Sequence, residues 1–446
     1  FAQDHAGGIS RPSCVMLSLS CVPGGIDLGL RFPQSRLDWS LVFGTATAGA
    51  VAVAYTSRRD HGACSRTGQT SKDRVPTASL KRSGFNKFPP PYPNGWAFIC
   101  ASDDLHRGDV RPIDVCGRRL VLFRNEYGKI GVLDAFCPHM GTHLGYGGFV
   151  QGGTVVCPYH QWRFDTNGKL ASMPFGGRAT AEKGAEQCNS KGHPTIERNG
   201  MILVWLHADG EEPSWKPEIL DLVSEKGLRP VCRVVDTDYK MHCMEPAHNS
   251  ADWYHFTTVH SVLAQHWQSR WPLLVPKHRL EPSRCTLNKA LDDDGKPINK
   301  PHLLIITEVL ESLNLFGKIP MPTWLCDMFT VQVRFNGPMF NCFHIKVPWV
   351  GDFVSYMPVV PTAPFVTHVE YFTFAAPRWP WLVCSVLTRL ICATVNQDRE
   401  VWENRTHGVR NTVKGDFDYD LFFQWWDQFY SPSSIGWDRA YENLDW

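Results

Sequence analysis

The sequence predicts an α+β protein: a small all-β domain, then a catalytic domain built from an antiparallel sheet with helices. Three features predict this. Residues 92–208 hold short β-rich runs separated by turn signals. Residues 230–446 hold long runs dense in Val, Ile, Phe and Thr, at Leu303–Leu315, Met328–Val347 and Phe353–Phe374, which read as an antiparallel sheet roofing a cavity. Helical patterns follow, one from Trp381 to about Arg405 and an aromatic one over Phe417–Tyr430.

In the first domain, Pro89-Pro90-Pro91-Tyr92-Pro93-Asn94-Gly95-Trp96 leads the chain in. Arg119–Arg124 and Lys129–Ala135 flank Asn125-Glu126-Tyr127-Gly128, a hairpin signal. Thr154–Cys157 and Met201–His207 read as further strands, and Pro213–Pro230 reads as a polar connector. With 446 residues there is room for two or three cores. The balance of 45 basic and 44 acidic residues, with no basic tract, argues against nucleic acid. The 15 cysteines are odd in number and scattered, which indicates a reducing compartment.

Residues 1–87 form a separate N-terminal segment. The chain begins at Phe1, and residues 1–36 carry little information. Leu41–Tyr55 is uncharged and weakly apolar, shorter than the roughly 20 residues of a spanning helix. We read about 38–56 as a candidate membrane anchor, in competition with a signal-peptide core or a surface helix. Arg58, Arg59, Arg66, Lys72, Arg74, Lys81 and Arg82 follow it, against Arg11, Arg31 and Arg36 before it. This asymmetry places the bulk of the chain in the cytosol. The expected location is therefore a membrane, the endoplasmic reticulum, with cytosolic catalytic domains. Residues 56–87 read as a linker. Trp379–Val395 reads as a buried helix, since Arg389 and its short length argue against a second span.

The chemistry concentrates between Cys137 and His160. Cys137-x-His139 is followed by seventeen residues and then Cys157-x-x-His160. Two thiolates and two imidazoles in this order suit a Rieske [2Fe–2S] centre, Cys on one iron and His on the other. A structural zinc site would group Cys with Cys and His with His, so the mixed pairs argue against it. Gly145, Gly147, Gly148, Gly152 and Gly153 let two loops fold back to one point.

These two loops, C-P-H-x-G and C-P-x-H-x-W, resemble those of the Rieske family. Thr142 and Tyr159 stand where the respiratory Rieske proteins have a disulfide, so the resemblance is to the oxygenase branch. One departure is Gln161, where the family usually has Gly; if that backbone needs positive φ, Gln is strained there.

A second site begins at Glu245: EPAHNSADWYHFTTVH. Two His and one carboxylate make the facial triad of non-haem Fe(II). On a helix Asp252 and His255 share a face. His255 and His260 are five apart, about 140° round a helix, so both can reach one iron only if the helix breaks or bulges between them. The bland alternative is that these His merely pack. The spacing Asn249-x-x-Asp252-x-x-His255-x(4)-His260 resembles the iron motif of Rieske oxygenases, and the resemblance supplies the third ligand from a late helix. Asp398 is the candidate, with Glu400 its rival. His242 and His248 match no ligand position. The resemblance further implies that Asp252 bridges His255 to a cluster His of a neighbouring subunit, His160 rather than His139. It implies a head-to-tail homotrimer and leaves Asn249 to position water or oxygen.

The PPPYPNGW stretch and Trp425-x-x-Gln428-Phe429-Tyr430 resemble the sterol branch, the Neverland-like cholesterol 7-desaturases, over roughly residues 88–430. The expected enzyme is a Rieske non-haem iron oxygenase that converts cholesterol to 7-dehydrocholesterol with O2. No Gly-rich dinucleotide fingerprint is visible, so NAD(P)H electrons require a separate reductase or ferredoxin. The rivals are a Rieske monooxygenase hydroxylating a steroid or other polycycle, a Rieske electron carrier, and a sterol-binding protein with decayed iron sites.

Overall fold

The computed structural model describes residues 79–80, 88–174, 188–252, 255, 259, 274–286, 301–315, 319–320, 322, 324, 330–409, 411 and 419–441. The candidate anchor at 38–56 and His260 lie outside them. Among the described residues no helix is long and apolar enough to cross a membrane.

The first domain is all β. Its strands are β1 (Gly95–Ala101), β2 (Val110–Val115), β3 (Arg118–Arg124), β4 (Ile130–Asp134), β5 (Phe149–Gln151), β6 (Thr154–Val156), β7 (Arg163–Phe164), β8 (Leu170–Ser172), β9 (Thr195–Arg198) and β10 (Met201–Leu206). They pair as three small sheets, β9-β10-β1, β2-β3-β4 and β5-β6-β7-β8. The β3–β4 hairpin closes as its turn chemistry requires. Asn125 Oδ1 accepts from the backbone N–H of Tyr127 and Lys129 (3.1 and 2.8 Å).

The second domain is one antiparallel sheet with helices. Its strands are β11 (Arg229–Val235), β12 (Leu274–Thr286), β13 (Leu303–Leu315), β14 (Thr330–Asn336), β15 (Phe340–Val347), β16 (Gly351–Ala363) and β17 (Val366–Ala375). They lie in the order β11-β17-β16-β15-β14-β13-β12. Its helices are α1 (Glu245–Ala251), α2 (Trp381–Glu403) and α3 (Tyr419–Asp427). All ten residues of β17 are buried. Alternate side chains of a strand face opposite ways, and this strand uses both faces. Phe372 and Phe374 join a core shared with Trp96, Phe98 and Leu203 of the first domain. Val369 and Tyr371 join Cys392, Val395 and Trp402 of α2.

The segment read as a polar connector is packed rather than merely polar. Ile219, Leu220 and Leu222 are buried in that shared core, and Tyr356 Oη donates to the Ile219 carbonyl (2.6 Å). The apolar positions fall within single short turns, too few to form a periodic signal.

α2 is held in one rotation about its axis. Its buried side chains, Cys384, Ser385, Thr388, Cys392, Val395, Asp398 and Trp402, recur at three- and four-residue spacing. Thr388 joins a hydroxyl ladder to the sheet, Thr388–Thr373 at 2.9 Å and Thr373–Ser355 at 3.1 Å. On the other flank Asn396 donates to Asp236 (3.0 Å) and Arg399 to the Asp238 carbonyl (2.8 Å).

Candidate metal centres

The two loops at the tip of the first domain repeat one set of backbone bonds. Cys137 N–H donates to Thr142 O (2.8 Å) and Gly141 N–H to Cys137 O (2.9 Å). Cys157 N–H donates to Trp162 O (2.8 Å) and Gln161 N–H to Cys157 O (3.0 Å). Gln161 thus occupies the place of Gly141, and both are left-handed, with φ +58° and +71°. The strain expected of Gln161 is present. Gly148 is needed for a different reason, because a Cβ there would lie 2.0 Å from the Leu144 carbonyl oxygen.

This geometry brings all four candidate ligands together. Cys137 and Cys157 are free buried thiols, close enough for their sulfurs to interact. The His139 and His160 rings lie 4.6 Å apart at 73°, and Trp162 stacks on His139 at 4.3 Å. The sulfurs face inward, while His139 is exposed and His160 half-buried. Burial, with the neighbouring Cys157, pushes the Cys137 thiol up to about 11. Two thiolates at such a spot need a cation beside them. The donor set therefore fits a [2Fe–2S] group held by Cys137, Cys157, His139 and His160.

The second site is assembled from distant segments. Here the structure corrects one expectation: Asp252 and His255 do not lie on one unbroken helix. α1 stops at Ala251, and Asp252 has extended backbone (φ −93°, ψ 100°). The helix ends inside the motif, between Asn249 and Asp252, where a carboxylate can be turned away from the helix face. The Asp252 N–H still bonds the Asn249 carbonyl (2.9 Å). His255 Nδ1–H donates to the Asp252 backbone carbonyl, which leaves the lone pair on Nε2, the form a metal ligand needs. Burial lowers the His255 pKa, with the Asp252 carbonyl opposing.

Asp398 is turned into the protein, only 5% exposed, while Glu400 is exposed. Burial pushes its carboxyl up to about 8, and a hydrogen bond with the Asn249 side chain works against that. A buried carboxylate needs a counter-charge or a proton, so Asp398 fits a cation. Asn249 and Asp398 therefore meet, joining α1 to α2.

Sequence reasoning missed a buried latch behind this pair. Glu245, the first residue of α1, pairs with Arg405 (2.9 Å), just beyond the end of α2. His407 Nδ1 lies 3.2 Å from the other Glu245 oxygen. The latch joins the two helices that carry Asn249 and Asp398. The one available signal was an acidic residue beside Pro246 at a helix start.

His242 and His248 pack, as expected of residues at no ligand position. His242 Nε2–H donates to Pro90 O (3.0 Å) and its Nδ1 accepts from Met244 N–H (3.1 Å). His248 stacks on Tyr419, ring centroids 5.1 Å apart. The two signatures, 340 residues apart in sequence at Pro90 and Tyr430, also meet. Tyr430 Oη donates to Pro90 O (2.8 Å) and Trp437 Nε1 to Pro89 O (2.8 Å). Trp425 Nε1 and Gln428 Nε2 both donate to Pro301 O (2.9 and 3.1 Å).

The profile of the Rieske [2Fe-2S] domain matches residues 95–182. Dicamba monooxygenase bound to dicamba has a TM-score of 0.51 at 17% identity, over 76% of this chain and 98% of that one, a likeness of fold. The matched domain and the four-ligand tip mark a Rieske iron–sulfur protein, and a curated relative alike over most of both chains makes it a Rieske-type iron oxygenase, an oxidoreductase. The cholesterol 7-desaturase nvd of Bombyx mori is 30% identical over 382 residues, 84% of this chain and 77% of that protein. The chain belongs to the Neverland-like cholesterol 7-desaturase family. The oxygenase component of 3-ketosteroid-9-alpha-monooxygenase from Rhodococcus rhodochrous is 32% identical over 184 residues, 41% of this chain and 47% of that one.

Proposed function

We propose that this Rieske steroid oxygenase desaturates a sterol, converting cholesterol to 7-dehydrocholesterol with O2 and NAD(P)H electrons from a separate reductase or ferredoxin. The observation that carries the reading is the likeness to a cholesterol 7-desaturase across most of both chains. When bound, the cluster and mononuclear iron would supply electron transfer and dioxygen activation. Cys137, Cys157, His139 and His160 would hold the first, and His255, His260 and Asp398 the second.

The chain's own residues supply position and protons. Asn249 holds the Asp398 carboxyl by a side-chain hydrogen bond and is suited to orient a small polar molecule beside it. Asp252, on extended backbone at the end of α1, accepts the His255 N–H through its backbone carbonyl, and its carboxylate would accept from a neighbouring subunit's cluster His, fixing that tautomer too. The outward His139 and His160, set among exposed Phe136, Met140, Tyr146 and Tyr159, suit docking onto another copy in a head-to-tail homotrimer. The basic residues after the 38–56 run support a cytosolic catalytic portion at the endoplasmic reticulum membrane.

Hydroxylation of a steroid is the second reading, favoured by the likeness to the Rhodococcus rhodochrous oxygenase component. Incubation with cholesterol, a reductase and NAD(P)H, followed by mass analysis, separates them. Loss of two hydrogens is expected; gain of one oxygen would establish the second reading instead.

A further inference from the structure

We propose that the β15–β16 turn and the start of α2 form a docking surface for the headgroup layer of an anionic phospholipid bilayer. The turn runs Val347-Pro348-Trp349-Val350, closed by Val350 N–H on Val347 O (3.2 Å). Pro stands second and Trp349 third, with φ +63°. A left-handed third position after Pro is ordinarily Gly or Asn. Here a bulky indole is held there, 77% exposed. A strained residue that gains no burial in its own fold points to a use outside it.

The surroundings keep this indole in place. Arg378 Nη1 donates to the Trp349 carbonyl (2.8 Å). Gly351 packs so tightly that a Cβ there would lie 2.7 Å from Ala376 Cβ. Trp379 Nε1 bonds Gly351 O (3.0 Å). Trp381, 49% exposed, is tied by its Nε1 to Val231 O (3.2 Å), and Val383 beside it is exposed as well. Between Trp349, Val350, Pro377 and Arg378 runs a groove of about 340 Å³.

Charge and size select the occupant. Arg378 and Arg229 border the indoles, the latter through a bond to Trp379 O (2.8 Å). Lys226 and Lys346 lie near Asp352, whose carboxyl is lowered by His344 and these lysines. Among the described residues Asp352 is the acid placed beside these lysines, and four cations stand against it. Indoles with flanking cations suit the headgroup level of an anionic leaflet. Two exposed indoles and a valine beside a shallow groove make a small surface, short of the roughly 800 Å² per partner of a stable protein interface. The surface stands on these residues; that it brings the protein to its substrate rests on the sterol reading.

The test is flotation of the full chain with phosphatidylcholine–phosphatidylserine vesicles, wild type against a Trp349→Gly, Trp381→Ser double variant. Gly suits the left-handed backbone, and thermal melting checks the fold of the variant. In the salt-sensitive fraction the variant should partition about tenfold more weakly or worse. Wild-type binding should weaken on pure phosphatidylcholine and in high salt. Any binding through the 38–56 run is common to both proteins and insensitive to salt. Equality of the salt-sensitive fraction, or no preference for the anionic vesicles in that fraction, therefore overturns the proposal. So does light scattering without lipid that finds the wild type more associated than the variant, since the surface is then a contact between copies. Turnover of cyclodextrin-delivered cholesterol reads the sterol assignment separately. It should be equal in both proteins, and its absence in both counts against the substrate while leaving the vesicle result standing.

Discussion

The two candidate metal regions are built on opposite plans. The tip of the first domain draws its four ligands from one short stretch, and each loop makes the same two backbone bonds to its own Cys. The second region brings Asn249, at the end of α1, to Asp398, deep in α2, by packing two distant helices on one sheet. The tip turns its imidazoles outward, whereas the second region turns its carboxylate inward. Local turns can specify ligand spacing alone. A distant carboxylate depends on everything that fixes the rotation of its helix, here the Thr388 ladder, Asn396 and Arg399.

The sharpest way to break this comparison is Asp398→Ala. Mononuclear iron retention should fall at least tenfold to about a hundredfold, with the Rieske electron paramagnetic signal unchanged. Iron analysis and that spectrum on one sample check it. Iron retained in full would assign the third ligand elsewhere, with exposed Glu400 the first alternative.

A smaller effect separates the regions by pH. His242 is buried among Phe88, Trp426 and Trp437, and burial lowers its pKa from 6.5 to about 4. His407, against Phe88 and Phe365, is lowered further by the same cause. The unfolded chain protonates these groups below pH 6.5 and the folded chain does not, so stability present above that pH is lost as it falls toward 4. Between pH 7.5 and about 5 His242 alone accounts for about 2 kcal/mol. Glu245, raised by burial, acts in the opposite sense above pH 4.5 and reduces the net fall. Denaturant midpoints at pH 7.5 and about 5 should differ accordingly, and equal midpoints would mean that water reaches both imidazoles.

The smallest effect is expected at the tip. Gln161→Gly removes a left-handed side chain whose partner position is already Gly141. It should stabilise the first domain by about 1 kcal/mol or less, read as a small rise in melting temperature with the cluster spectrum kept. A loss of stability would mean that the Gln161 side chain makes a contact that outweighs its backbone strain.

Much of this was legible in advance where the physics is local. The β3–β4 hairpin could be read because Asn125 and Gly128 are turn residues. The strain at Gln161 could be read because the resembled cluster loop usually has Gly there. The helix end at Ala251 was not read because α1 has no side-chain hydrogen bond at its start and no Gly after its end to announce it. The buried turns after Pro217 were missed because a few apolar residues have no period. The latch of Glu245, Arg405 and His407 was missed because its members stand far apart in sequence and are ordinary surface residue types singly.

By itself the sequence determined the kinds of donor, their spacing within each loop and the family of the enzyme, since short-range sterics and donor chemistry do not depend on the rest of the fold. Tertiary structure alone decided that Asp398 faces inward to meet Asn249, that the proline-rich entry and the late aromatic segment meet through Pro90 and Tyr430, and that Trp349 is left exposed at a strained turn. Each of these depends on which surfaces of distant elements are buried together, and burial is a property of the assembled chain.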